Sequence, residues 1–467
     1  MKTSVFLSIL ISFLFLQACP TTSRTANEKP SSSVAKNYEE YCVGCHGKSR
    51  EDFLNRTWLW GESREEIFAS IKYGNDDDGM PGYDTTFTDT EIYELVDFVL
   101  SAEAIKMSDI GRKKTSKKGI TSEDLNFRLD TLATGLQNPW GLEFLPNGDM
   151  LISELSGVLY RLSGEKLTKI AGVPTVKYRN QGGLMDVKLH PNYAENGWLY
   201  FSYSKPKPEY DNESTTAVIR AKLSENQLVD VQEIFIAEPY ATTSRHFGSR
   251  LEFDSEGFLY ISVGDRGMRD DFPQSLTNHC GKIHRINDDG NIPSDNPFVK
   301  TKWAIPSIWS YGHRNPQGMA LHPSTGDLWT HEHGPRGGDE INRIEKGLNY
   351  GWPIISYGIN YSGTRFTDIT EKEGMEQPVL YWVPSIAPCG MDFVRDEKYG
   401  TWQGDILAGS LRFEYLHRCV MEGNRVVREE KLLEGIGRVR VIKSAPDGFI
   451  YFGVEAPGAV YRIVPQL

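Results

Sequence analysis

The feature that most limits the possible folds is a short unit that recurs along most of the chain. In each copy a turn rich in Gly, Asn and Asp leads directly into an apolar run. The six runs are MLIS, WLYFS, FLYIS, LWTH, ILAGS and FIYFG, beginning at residues 150, 198, 258, 328, 406 and 449. Copies spaced about 45–80 residues apart indicate the repeat of a β-propeller. We therefore predict an all-β propeller of six blades covering about 335 residues, from Leu132 to Ile463; a sandwich with six unrelated hairpins is the alternative.

A different pattern occupies the N-terminal part of the chain. Cys42-Val43-Gly44-Cys45-His46 is a C-x-x-C-H sequence, in which two cysteines form thioethers to a haem and the histidine binds its iron. Residues 47–189 contain no further Cys or His that would complete a zinc site. A thioredoxin-like redox pair would need a βαβ context, which is lacking. The sequence thus predicts haem c, attached to Cys42 and Cys45, with His46 as an axial ligand.

The second axial ligand is predicted to be Met80, which lies in the loop Gly79-Met80-Pro81. Met107 is the local rival, but it follows the last helix of the region. Thr88 and Glu91 have the spacing of a capping box, and apolar residues follow them at helical intervals. Residues 34–104 are therefore predicted to form a small all-α cytochrome c domain.

The remaining N-terminal segments are predicted to be targeting and linking sequences. Residues 1–18 combine a basic start with an apolar run too short to span a bilayer, which is typical of an export signal. The run ends in Leu-Gln-Ala-Cys, which resembles a bacterial lipobox and makes Cys19 a candidate for lipidation. Residues 19–33 are predicted to be a flexible tether and 105–124 a basic linker, leaving 125–467 for the propeller. We expect an exported, membrane-anchored lipoprotein that faces the periplasm.

Charge and cysteine content limit the partners and the covalent links. The net charge of −12 argues against binding to nucleic acid. Once Cys19 and the haem cysteines are assigned, Cys280, Cys389 and Cys419 remain, so at most one internal disulfide joins two of them. An oxidising compartment permits such a bond, and we expect it between Cys389 and Cys419.

The segment from Gly312 to Pro353 carries most of the functional signal. It contains GHRNPQG, GP, DEIN and NYGWP in this order. These sequences resemble the signatures of the soluble, quinone-dependent glucose and aldose sugar dehydrogenases. The resemblance implies a six-bladed propeller that binds pyrroloquinoline quinone (PQQ) on a calcium ion.

The resemblance also implies which residues bind the quinone. In the family an R-x-R sequence holds a cofactor carboxylate, and Arg438-Val439-Arg440 matches it. Ser410-Leu411-Arg412 matches a position where the family carries a lysine, so the charge is kept but the geometry of the head group changes. The other implied cofactor contacts are Gln181, Asn315, Gln317 and Tyr361.

Three further matches imply the catalytic residues. His246 falls at the position of the family's general base, and Asp265 lies nineteen residues on, where the family has an orienting aspartate. Arg314 matches the arginine that polarises the reactive quinone carbonyl. The family has Asp before the histidine, whereas this chain has Arg245, which puts the sugar preference in doubt.

Calcium ligands are implied at two places. Gly334 and Pro335 match the pair whose main-chain carbonyls hold the ion beneath the quinone. Glu340 and Tyr350 resemble ligands of a second, structural ion. Taken alone, His331-Glu332-His333 also permits a zinc site, since alternate residues of a strand share a face.

The expected function is oxidation of the C1 hydroxyl of aldose sugars to lactones. Electrons would pass from PQQ to the chain's own haem c and then to a downstream acceptor. Two alternatives stay open. One is an L-sorbosone-like aldehyde or alcohol dehydrogenase on the same fold. The other is a non-catalytic ligand-binding propeller tethered to an electron carrier.

Overall fold

The computed structural model describes residues 32–46, 53, 61, 63–75, 80–101, 120–455 and 457–466. A small helical domain precedes six sheets, five of four strands and one of five. The predicted six-bladed β-propeller is confirmed. The predicted signal segment, Cys19, most of the tether, most of the basic linker and the side chain of Cys45 lie outside the described residues.

The propeller strands follow one another in chain order. The first thirteen are β1 (Ile120–Thr121), β2 (Asn126–Thr134), β3 (Pro139–Phe144), β4 (Met150–Glu154), β5 (Val158–Ser163), β6 (Lys166–Ile170), β7 (Leu184–Leu189), β8 (Trp198–Lys207), β9 (Tyr210–Ser224), β10 (Gln227–Ile236), β11 (Leu251–Phe253), β12 (Leu259–Val263) and β13 (Lys282–Ile286). The others are β14 (Ile308–Tyr311), β15 (Pro316–Leu321), β16 (Leu328–Glu332), β17 (Asp339–Ile344), β18 (Leu380–Trp382), β19 (Pro388–Phe393), β20 (Ile406–Ser410), β21 (Tyr415–Glu422), β22 (Arg425–Leu432), β23 (Val439–Ser444), β24 (Ile450–Val454) and β25 (Ala459–Pro465).

Each recurring sequence unit forms the second strand of a blade. The sheets are β3–β6, β7–β10, β11–β14, β15–β18 and β19–β22, and the last joins β23, β24 and β25 to β2 and β1. The units of the sequence repeat correspond to β4, β8, β12, β16, β20 and β24. Strand β2 pairs antiparallel with β25, so an N-terminal strand completes the last blade and closes the ring.

The recurring runs are apolar because neighbouring blades cover both of their faces. Every residue of β4, β12, β16, β20 and β24 is buried. A short run of continuous hydrophobicity is what such a strand requires. Clusters between blades hold large side chains; Trp329 of β16, for example, packs edge-on against Phe393 of β19.

A buried arginine joins the inner strands near the propeller axis. Arg250 donates to the carbonyl oxygens of Trp140 at 3.2 Å, Gln317 at 2.8 Å and Arg440 at 3.0 Å. Its charge is balanced by Asp186, 3.3 Å away. Because a buried charge must be paired and hydrogen-bonded, these contacts tie five blades together at the level of the predicted cofactor contacts Gln317 and Arg440.

The helical domain consists of short, capped elements. They are α1 (Ser32–Asn37), a π-helical turn (Tyr38–Cys42), α2 (Val43–His46), α3 (Arg64–Tyr73) and α4 (Asp89–Leu100). The predicted capping box of Thr88 and Glu91 is confirmed at the start of α4, and Ser63 with Glu66 forms another before α3. The propeller adds α5 (Tyr193–Asn196) and a 3₁₀ segment (Glu397–Trp402).

The expected disulfide between Cys389 and Cys419 is wrong. Both thiols are free and fully buried. Cys389 lies among polar groups near the axis, with its Sγ 3.4 Å from Oε1 of Gln317. Cys419 belongs instead to the apolar cluster around Trp382 and Phe393, so the two sulfurs occupy different surroundings.

None of the helices in the described part of the chain is both long enough and apolar enough to cross a membrane.

Candidate active site

His246 and Asp265 form a buried hydrogen-bonded pair. His246 lies in the loop before β11, and Asp265 lies just after β12. Nδ1 of His246 is 2.6 Å from Oδ1 of Asp265. His246 has a φ of 54°, in the left-handed region. A non-glycine residue keeps such a backbone only where its surroundings fix it, and such residues concentrate at functional sites.

The carboxylate of Asp265 is held from three sides. Besides His246, the main-chain N–H of Gly267 donates to Oδ1 at 2.7 Å, and Nε1 of Trp352 donates to Oδ2 at 2.9 Å. Because an ionised carboxylate only accepts hydrogen bonds, Nδ1 of His246 carries the proton. The other ring nitrogen, Nε2, is then the basic one.

Electrostatics keeps the two groups in complementary states at neutral pH. Burial lowers the pKa of His246 to about 4, and the positive charge of Arg314 acts in the same direction against the pull of Asp265. Burial works against ionisation of Asp265, but the hydrogen bonds from His246 and Gly267 and the positive charge of Arg314 outweigh it, and its pKa falls to about 2. A neutral imidazole beside a fixed carboxylate is the arrangement of an oriented general base.

Arg314 reaches the loop that carries the predicted calcium carbonyls. Its Nη1 donates to the carbonyl oxygens of His333 at 3.0 Å and Gly334 at 2.7 Å. Its main-chain N–H donates to Oε2 of Glu332 at 2.5 Å. The guanidinium also lies 5.4 Å from the ring of Trp352, the residue that holds Asp265. The structure thus brings Arg314 to the His246–Asp265 pair.

The side chains of two predicted amide contacts hold the backbone at and just after His246. Oε1 of Gln181 accepts the main-chain N–H of His246 at 2.8 Å, and Oδ1 of Asn315 accepts that of Gly248 at 3.1 Å. Nδ2 of Asn315 is buried and has no hydrogen-bond partner among the described residues. Such a donor costs about 1–3 kcal/mol when left unpaired, which points to a ligand that would accept its hydrogen bond.

The R-x-R pair shares a partner that sequence reasoning missed. Nε of Arg438 donates to one oxygen of Glu455 at 2.8 Å, and Nε of Arg440 to the other at 2.6 Å. Arg438 also donates to the carbonyl oxygen of Leu411, and Arg440 lies 3.4 Å from Oε1 of Gln317. The two guanidiniums point the same way, and one carboxylate between them leaves an excess positive charge.

Other predicted cofactor residues lie near the R-x-R pair, but most of their side chains pack in the protein core or bond to main-chain oxygens. The side chain of Val439 belongs to the hydrophobic core, and that of Leu411 is buried. Oγ of Ser410 donates to the carbonyl oxygen of Ile386 at 2.9 Å. Arg412 donates to the carbonyl oxygen of Ser385 at 3.3 Å. From this group, Arg412 alone offers a charged side chain.

Tyr361, another predicted cofactor contact, lies half-buried in a propeller loop. In that loop the N–H of Gly363 donates to the carbonyl oxygen of Asn360 at 2.9 Å. Oδ1 of Asn360 accepts from Nη1 of Arg269 at 3.0 Å. The loop is therefore tied to the segment that follows Asp265.

The predicted structural calcium site contains a second carboxylate. Glu332 and Glu340 are cross-strand partners on β16 and β17, and Nδ2 of Asn342 lies 3.3 and 3.2 Å from them. Burial and the charge of Glu332 raise the pKa of Glu340 to about 8. Both glutamates line a small cavity with Tyr350. The hydroxyl of Tyr350 donates a hydrogen bond to the carbonyl oxygen of Arg343.

The other predicted calcium ligands lie in a tight turn held by a buried carboxylate. Asp339 accepts the N–H of Gly334 at 2.9 Å, and Ser385 donates to the carbonyl oxygen of Pro335 at 3.0 Å. A Cβ on Gly334 would lie 2.3 Å from the backbone of Gly338, so only glycine fits there. Within the described residues no three His, Cys, Asp or Glu side chains cluster as a metal site, so a cation would need carbonyl ligands as well.

The zinc alternative at His331 and His333 finds no support in these contacts. Nε2 of His331 is 3.2 Å from the carbonyl oxygen of Gly390, and Nε2 of His333 is 2.7 Å from that of Pro388. Glu332 lies between them in sequence and bonds to His313 instead.

The predicted haem ligands lie in the helical domain. Cys42 and Met80 both pack against its hydrophobic core, and the ring of His46 lies 4.7 Å from that of Phe53. Met80 is fixed by two main-chain hydrogen bonds to Asn75, which follows the C-cap of α3. An apolar core with an imidazole and a thioether fits an axially ligated haem.

Comparison with known proteins matches the propeller and the helical domain to two different family models. The family model described as glucose/sorbosone dehydrogenase matches residues 136–462. The chain belongs to the glucose/sorbosone dehydrogenase family. Residues 31–99 match the model described as cytochrome c oxidase, cbb3-type, subunit III, in agreement with the predicted cytochrome c domain.

Individual relatives agree with the family. Aldose sugar dehydrogenase YliI of Escherichia coli is 40% identical over 347 residues, which are 72% of this chain and 93% of the relative. The apo form of the E. coli aldose sugar dehydrogenase superposes with a TM-score of 0.69 at 38% identity, covering 73% of this chain and all of the other. The PQQ-bound aldose sugar dehydrogenase of Streptomyces coelicolor gives a TM-score of 0.61 at 26% identity, covering 75% of this chain and 100% of the other.

Membership of the glucose/sorbosone dehydrogenase family confirms that the chain is an oxidoreductase. Sequence reasoning missed Trp352, Glu332 and Glu455 as site residues. Trp352 stands in the NYGWP signature and Glu332 between two histidines, so their positions carried a signal. Glu455 follows the last recurring run and gave none.

Proposed function

We propose that this chain is an exported quinohaemoprotein that oxidises the C1 hydroxyl of aldose sugars with PQQ and passes the electrons to its own haem c. The observation that carries the proposal is the buried His246–Asp265 pair beside Arg314, in a propeller of the glucose/sorbosone dehydrogenase family. The PQQ-bound form of a relative with the same fold supports the choice of cofactor.

The residues present fit PQQ, which carries three carboxylates. Arg438 and Arg440 share a single carboxylate, and Arg412 adds a third guanidinium. Arginine forks suit carboxylates because two parallel hydrogen bonds form. The unpaired amide N–H of Asn315 supplies a donor for the ring edge. PQQ, when bound, supplies the two-electron acceptor for the sugar.

Residues of the protein accept the proton of the C1 hydroxyl. Oxidation of the C1 hydroxyl to a lactone removes one proton from the hydroxyl, and the hydrogen on C1 leaves with the two electrons that bound PQQ would take up. Nε2 of neutral His246 accepts the hydroxyl proton, and Asp265 stabilises the imidazolium that results. Arg314 provides a fixed positive charge beside the pair, which favours negative charge that develops on a neighbouring oxygen.

Calcium is proposed at two positions. The carbonyl oxygens of Gly334 and Pro335 would hold one ion near Arg314. Glu332 and Glu340 would hold another beside Tyr350, because two buried carboxylates side by side favour a divalent cation.

Haem c is proposed on Cys42 and Cys45, and His46 and Met80 would bind its iron. Haem c, when bound, takes one electron at a time. The segment 105–124 joins the two domains in one chain, so it raises their mutual concentration to about millimolar and makes the transfer intramolecular. A downstream acceptor would then reoxidise the haem.

The test is a substrate panel on protein reconstituted with PQQ and calcium, read by reduction of an artificial dye. We expect aldoses to reduce the dye and L-sorbosone or simple alcohols to do so at a much lower rate. Chelation of calcium before PQQ is added should prevent reconstitution. Preference for sorbosone would support the alternative dehydrogenase, and a lack of turnover with every substrate would support a non-catalytic propeller.

A lipid anchor at Cys19 is proposed from the lipobox alone. Cys19→Ala should move the protein from the membrane fraction into the soluble exported fraction, as fractionation and immunoblotting would show. Membrane association equal to that of the wild type would contradict the anchor, and with it the proposed attachment to the periplasmic face of a membrane.

A further inference from the structure

The helical domain and the propeller touch through a small set of polar contacts around one arginine. The guanidinium of Arg336 forms an ion pair with Glu40 and lies 4.3 Å from the ring centre of Tyr41. Nη2 of Arg412 donates to the carbonyl oxygen of Glu40 at 3.4 Å. We call Arg336, Arg412 and the Ser362 loop the docking face.

The docking face coincides with the propeller loops that carry predicted cofactor contacts. Arg336 directly follows Gly334 and Pro335, and Ser362 directly follows Tyr361. The backbone of Arg336 pairs with Ile359 through hydrogen bonds of 3.0 and 3.1 Å. This pairing fixes the position from which the guanidinium extends.

On the helical domain the contacts come from both sequences that carry predicted haem ligands. Glu40 and Tyr41 directly precede Cys42 of the C-x-x-C-H motif. Oγ1 of Thr86, which follows the Met80 loop, donates to the carbonyl oxygen of Ser362 at 3.4 Å.

Tyr41 links these two haem-ligand sequences. Its ring packs edge-on against Tyr83 and Phe87, and the hydroxyl of Tyr83 donates to its carbonyl oxygen at 3.1 Å. A contact on Tyr41 therefore positions both sides of the haem-binding region.

We propose that Arg336 seats the haem-binding domain on the cofactor face of the propeller and that this contact is the dock for electron transfer. The functional meaning rests on the proposed transfer from quinone to haem. A tethered domain samples many orientations, and a charged clamp with an aromatic stack selects one of them. Arg336 is 23% and Glu40 42% exposed, so solvent reaches both groups of the ion pair.

The dock itself is tested without PQQ. Thr86→Cys with Ser362→Cys places two thiols across the contact in haem-loaded protein, and mild oxidation traps the docked form, which mass spectrometry counts. Adding Glu40→Arg sets two positive charges against each other and should lower the trapped fraction roughly tenfold. Glu40→Arg combined with Arg336→Glu should restore most of it. Glu65→Arg, with the same change of charge on an exposed part of α3, should leave it unchanged.

The second readout is haem reduction by sugar in PQQ-loaded protein without the added cysteines. Glu40→Arg should slow it by about tenfold while dye-linked turnover stays at the wild-type level. Equal trapping in the wild-type and Glu40→Arg backgrounds, or equal haem reduction in all variants, would overturn the dock. Normal trapping together with dye turnover that never reduces the haem would instead refute the proposed electron path and leave the seating role of Arg336 supported.

Discussion

His246→Ala should lower sugar turnover by about 10²–10⁴, the contribution of a positioned general base. Nε2 of His246 is the basic nitrogen because Asp265 holds the proton on Nδ1 at 2.6 Å. Alanine removes that base, but no charge that holds a cofactor carboxylate, so PQQ affinity should change little. Steady-state kinetics with a dye acceptor and a PQQ titration measure the two effects separately.

The matching control is His322→Ala, which changes a histidine directly after β15 whose Nδ1 is hydrogen-bonded to the hydroxyl of Ser324. It should leave turnover unchanged. The pH profile adds a check. A base must be neutral to work, and the pKa of His246 is lowered to about 4, so turnover should stay level from pH 7 down to about 5 and fall below that. Near-normal turnover in His246→Ala would remove this residue from the mechanism.

Asp265→Asn should lower turnover by a comparable factor, about 10²–10⁴, although the side chain does not reach the sugar in this account. An asparagine amide donates to Nδ1 and thereby moves the imidazole proton to Nε2, which ends its role as a base. Trp352 and Gly267 also donate to this carboxylate and fix its position, so the loss comes from the moved proton rather than from a displaced side chain.

The control for this variant is Asp295→Asn. Asp295 lies in another loop, and its exposed carboxylate pairs with Arg285 of β13. Thermal unfolding should show that Asp265→Asn remains folded, with a loss of about 1–3 kcal/mol for the altered buried hydrogen bonds. A folded Asp265→Asn protein with wild-type kcat would show that the tautomer of His246 is unimportant.

The architecture was accessible from the sequence because the propeller repeats its signal. Second strands are buried on both faces, so runs such as the one at Ile450 must be apolar, and a tight turn must precede them. The closing of the ring was not accessible. Strand β2 pairs with β25 across most of the chain, and no local pattern records a partner so distant. The predicted disulfide is wrong for the same reason. The sequence around Cys389 and Cys419 does not show which face of its strand each side chain occupies.

The sequence likewise identifies some residues of the candidate site and leaves others hidden. His246, Asp265 and Arg314 were named from motifs, and the structure brings them together. Glu455, which balances Arg438 and Arg440, directly follows β24, and its role depends on how β23 and β24 are paired. Val439 is the middle residue of the R-x-R sequence, yet strand alternation sends its side chain into the core.

The most direct test of the account is a stopped-flow measurement of haem absorbance after PQQ-loaded protein is mixed with an aldose. We predict that the haem becomes reduced with a first-order rate that stays the same over a tenfold range of protein concentration, because donor and acceptor share one chain. A haem that stays oxidised while the same protein reduces an artificial dye would contradict the account.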